Sequence, residues 1–118
     1  LSRCSIVFGA IDTKEWQNMI DILKPYGLTW HILEPLSSSA VRTEVISEYL
    51  SRIGVNSVNW DKNYGGLAAF LRANGSEPVI ASGSIYLIGE LRRHFGMEDK
   101  PIWKSISIDT SKYIDINL

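Results

Sequence analysis

The sequence predicts an α/β fold, a mainly parallel sheet built from four strand–helix units. Three observations predict it. Four short apolar runs rich in Val and Ile alternate with four stretches whose apolar residues recur at helical spacing. Each of the four helix candidates is followed at once by a glycine: Gly27, Gly54, Gly75 and Gly96. Glycine reaches the left-handed conformation that ends a helix at no steric cost. The first run, SIVFGAI, is apolar at nearly every position, as a strand buried on both faces must be.

That run, residues 5–11, is the first predicted strand. A helix is predicted over 14–26, where Trp16, Met19, Ile20 and Leu23 fall on one face. Thr13 is its candidate cap, and Pro25 and Gly27 end it. The second strand covers 29–33 and leaves through Glu34-Pro35. After a Ser-rich loop, a helix over 41–53 carries Ile46, Tyr49, Leu50 and Ile53 as its stripe. The third strand covers 57–60, and the polar, glycine-containing stretch 61–66 reads as a loop. The next helix, 67–74, is expected to bury Leu67, Phe70 and Leu71. The fourth strand is 78–81, and the helix 85–95 buries Leu87, Ile88, Leu91 and Phe95.

The remaining residues, 97–118, change character. Ile102, Lys104, Ile106 and Ile108 alternate with Trp103, Ser105 and Ser107, which suits one or two short strands covering an edge or face of the sheet. No linker divides the chain. The expectation is one domain over 1–118: a Rossmann-like three-layer sandwich of four βα units with short C-terminal strands.

Composition narrows the partners. The 118 residues are 45% apolar and 21% charged, with net charge −1, which is ordinary for a globular domain and gives no basic face for nucleic acid. No apolar run approaches the ~20 residues that span a bilayer, so no membrane role is expected. The single cysteine, Cys4, excludes a disulfide within one chain and a cysteine-based zinc site. It reads as a small buried residue. The chain opens on Leu1 without a signal-peptide pattern, which reads as a processed product or an excised domain; a cytoplasmic location is expected, with an organelle also compatible.

In an open parallel sheet, ligands bind outside the carboxyl ends of the strands. That rule selects Gly9, Asp12, Thr13 and Lys14 after the first strand, and Glu34 and Ser37 after the second. It selects Asp61 and Lys62 after the third, and Ser82, Gly83 and Ser84 after the fourth. The turn Ser82-Gly83-Ser84 has the best local chemistry. Gly83 permits a sharp turn and close approach, and the free N–H groups of the following helix favour a carboxylate or phosphate. Plain capping by Ser84 is the competing reading. Asp12 with Lys14 is a second candidate, set against an ordinary charged first helical turn.

Other polar residues read as structural. His31 is expected to be a structural histidine, and His94 a surface residue at a helix end. Arg92 and Arg93 read as a solvated helix end, where the dipole favours cations. Gly89, inside the last helix, costs about 1 kcal/mol against Ala and is expected to allow close helix–sheet packing. No His/Asp/Glu set has metal-ligand spacing, and neither G-x-x-x-x-G-K-[ST] nor G-x-G-x-x-G occurs.

Two segments carry a family resemblance. SGSIYLIGELRR resembles the T-G-S-L-Y-L-V-G-E-V-R signature of folylpolyglutamate and dihydrofolate synthases. Ser82 stands for Thr, while Gly83, Ser84, Tyr86, Leu87, Gly89, Glu90 and Arg92 match. IVFGAIDTKEWQNMIDILKP resembles an earlier V-F-G-x-x-x-D-K-D segment of the same domain, with Val7, Phe8, Gly9 and Lys14 matching and Thr13 and Glu15 departing. The likeness covers about residues 5–95.

It implies the C-terminal domain of the Mur ligase superfamily. Such ligases use ATP and magnesium to form an acyl phosphate that the amine of glutamate attacks. Ser82, Gly83 and Ser84 would then be substrate-binding, and Gly9, Asp12 and Lys14 candidates for the nucleotide side or a domain contact. The acceptor would be a folate or dihydropteroate carboxylate. The family's P-loop and D-G-A-H-N segment do not occur in these residues, so the isolated chain is expected to be inactive. The alternative is a free-standing α/β binding or regulatory module without catalysis. A small independent enzyme ranks below both, because no catalytic set is visible.

Overall fold

The computed structural model describes residues 4–12, 15–73 and 78–95. In chain order the elements are β1 (Ser5–Gly9), α1 (Trp16–Leu23), a 3-10 turn (Lys24–Tyr26), β2 (Thr29–Leu33), α2 (Thr43–Arg52), β3 (Ser57–Asp61), α3 (Tyr64–Ala73), β4 (Val79–Gly83) and α4 (Ile85–Phe95). The four strands form a parallel sheet in the order β3-β2-β1-β4. The α/β class and the parallel sheet agree with the sequence reading.

β1 lies between β2 and β4, which explains why all five of its residues are buried. Ile6 and Phe8 face one way, joining Trp30 and Ile32 of β2. Met19, Ile20 and Leu23 of α1 and Ile46 and Leu50 of α2 pack on that face. Val7 and Leu33 face the other way and meet Tyr64 and Leu67 of α3 with Leu87 and Leu91 of α4. Each such side chain, taken out of water, contributes roughly 1.5–3 kcal/mol. Crossovers of a single hand account for the arrangement. Travel from β1 to β2 to β3 runs one way across the sheet, and the step to β4 runs back, so the connecting helix changes face.

Several boundaries differ from the sequence reading, each for a physical reason. β1 stops at Gly9, and Ile11 instead forms an isolated antiparallel bridge with Ala40. α1 ends at Leu23, because Pro25 turns the chain into the 3-10 segment that closes on Gly27 at φ +65°. The Thr13 cap lies outside the described residues, and Glu15 at the N-cap makes no side-chain cap bond.

α3 starts three residues earlier than expected. The Asn63 side chain accepts the Gly66 amide at 2.9 Å, capping the helix, and Tyr64 is buried. Those two contacts outweigh the weak helix propensity of Gly65 and Gly66. Phe70 is not buried: it is 43% exposed and leans on the rings of His31 and Trp60 at the β3 side of the sheet. Among the described residues, the close helix–sheet packing expected at Gly89 is not seen. Gly89 is exposed, and a Cβ there would meet none of the described residues within 4 Å.

Other expectations hold. Gly54 closes α2 at φ +82°, and Cys4 is buried. His31 is a buried structural residue whose Nδ1 accepts the Trp60 indole N–H at 3.1 Å. Gly75, Gly96 and the strands expected in 97–118 lie outside the described residues. Among the described residues, no helix is long and apolar enough to cross a membrane.

Candidate functional site

The chain travels one way from β1 and the other way to β4, so the carboxyl ends of β1 and β4 mark the point where strand order reverses. Crevices at such points are where open parallel sheets hold ligands. Gly9 and Gly83 are register partners there. Gly83 has φ +112°, and a Cβ on it would overlap the Gly9 carbonyl oxygen. Gly9 is equally confined: a Cβ would overlap the Leu33 carbonyl oxygen and come within 2.6 Å of Leu87 Cδ1. Two glycines thus let strand, turn and helix meet backbone to backbone.

From that contact the chain enters α4. The Ser84 amide donates to the Gly9 carbonyl at 3.0 Å, tying the helix start to β1. The Ser84 hydroxyl accepts the Tyr86 amide at 3.0 Å, which is an N-cap bond. An α-helix leaves its first-turn amides without partners inside the helix. Ser84 satisfies the one at Tyr86, and among the described residues no partner is seen for the amides of Ile85 and Leu87, the donors suited to an anion.

The serines do not project into the crevice as free hydroxyls. Ser82 and Ser84 are each 1% exposed. Strand alternation puts Ser82 on the face of Ile80, and its Oγ has no hydrogen-bond partner among the described residues. An anion at this turn would therefore meet backbone N–H groups first.

The other predicted residues fall into separate linkages. Asp12 is exposed, and its amide donates to the Ser39 carbonyl at 2.8 Å. Lys14, its expected companion, lies outside the described residues. Ser37 turns inward on its own loop, accepting the Ser39 amide on its Oγ at 3.1 Å. Glu34, Asp61 and Lys62 come together at the ends of β2 and β3. The Glu34 amide donates to the Asp61 carbonyl at 2.7 Å, and Lys62 Nζ lies 3.7 Å from Glu34 Oε2. Asp61 adopts φ +53°, and its carboxylate accepts the Thr43 hydroxyl at 2.6 Å.

Sequence reasoning missed Tyr64, which links this second group to α4. Its hydroxyl donates to the Glu34 carbonyl at 2.7 Å. Burial pushes the phenol well above the ordinary tyrosine range, and the negative charges of Glu90 and Glu34 push it the same way. His94 stacks on the Tyr64 ring at 5.7 Å and pairs through Nε2 with Glu90 Oε2 at 3.3 Å. Arg93 reaches the other Glu90 oxygen at 3.6 Å. His94 and Arg93 are exposed, as expected of a helix end, whereas Arg92 is half-buried.

No described group of three or more His, Cys, Asp or Glu residues could hold a metal ion. Comparison with protein-family models, with curated proteins and with solved structures found no match in any of the three.

Proposed function

We propose that this chain is the C-terminal domain of an ATP-dependent ligase that adds glutamate to a folate or dihydropteroate carboxylate. The observation that carries the reading is the position of the SGSIYLIGELRR segment. It begins at the strand-order reversal, where the amino end of α4 stands beside the Gly9–Gly83 contact. In this reading the amides of Ile85 and Leu87 hold a glutamate carboxylate. Ser84 fixes the helix start, and Gly9 and Gly83 allow the close approach. Gly9, Asp12 and Lys14 would serve the nucleotide side or a contact with a neighbouring domain.

The fold in this reading is a Rossmann-like three-layer sandwich, extended by short strands from 97–118. Helices on both faces of a β3-β2-β1-β4 sheet support it. ATP and magnesium would be held by other domains of a cytoplasmic enzyme, and the isolated chain would bind neither productively. A second reading, an anion-binding or regulatory module without chemistry, draws on one feature. Both serine hydroxyls at the turn are buried, so recognition rests on backbone amides alone.

Amide chemical shifts in the isolated chain and in the chain joined to its parent's nucleotide domain separate the two readings. The ligase reading expects L-glutamate, added with ATP, magnesium and a folate acceptor, to move the Ile85 and Leu87 resonances in the joined protein. Shifts at other amides only would remove the site assignment. Equal shifts in the isolated chain, without ATP or acceptor, would favour the module.

A further inference from the structure

We draw no further inference here: the strongest candidate, the outer edge of β4 beside the exposed Val79, carries nothing because the described residues do not show what covers it.

Discussion

Gly83 rests on Gly9 so closely that the position of a Cβ on Gly83 is already filled by the Gly9 carbonyl oxygen. The same carbonyl accepts the Ser84 amide, so the β1 end, the turn and the α4 start form one unit.

Gly83→Ala must therefore move backbone, and it also places a side chain at φ +112°. Strain at such a position alone costs about 1–3 kcal/mol. We expect a loss of more than ~2 kcal/mol in chemical denaturation. Gly27→Ala provides the comparison: φ is +65°, but none of the described residues lies within 4 Å of the added methyl, so the loss should be smaller, about 1 kcal/mol. Equal losses at the two sites would contradict the backbone contact.

Ser84→Ala removes the acceptor for the Tyr86 amide. The expected cost is about 1 kcal/mol of stability. Ser84→Asn, another good cap, should recover part of it. A hydroxyl that serves only a ligand would leave the denaturation midpoint unchanged.

Gly89→Ala should raise stability. The methyl meets none of the described residues, and Ala is favoured over Gly inside a helix by about 1 kcal/mol. A decrease in the thermal midpoint would mean that something packs against this face of α4.

Tyr64 gives a prediction at high pH. Burial, then Glu90 and Glu34, raise its folded-state value above the ordinary 10.0, so the folded chain keeps a proton that the unfolded chain releases. That contribution is complete below pH ~10 and is lost as pH climbs from there towards the raised value. Stability should fall above pH ~10, and Tyr64→Phe should flatten that slope while costing about 1 kcal/mol at neutral pH through the unpaired Glu34 carbonyl. Chemical denaturation across the alkaline range measures both. An unchanged slope in the variant would assign the effect to other groups.

Much of the fold was legible because local and tertiary demands agree. The SIVFG run is apolar throughout since β1 is covered on both faces, and Gly27 and Gly54 follow helices because both take positive φ. The misses arise where tertiary contacts override local pattern. Gly65-Gly66 reads as a loop until the Asn63 side chain caps α3 and Tyr64 enters the core. Phe70 fits a helical stripe, yet α3 sits where the β3 edge leaves that position half open. At the site, the glycine was readable from the pattern of strand, glycine and helix, but the strand was read too short: β4 runs on through Ser82 and Gly83, which pair with Phe8 and Gly9. That the hydroxyls turn inward was not, because it depends on how β4 pairs with β1.

In the function we propose, the amino end of α4 holds glutamate in a ligase completed by other domains. ATP-dependent incorporation of labelled glutamate into a reduced folate, measured on the chain joined to its parent's nucleotide domain, tests it most directly. The expected result is one glutamyl amide formed per ATP consumed by the joined protein, and none by the 118 residues alone. Absence of glutamate incorporation by the joined, folded protein would contradict it.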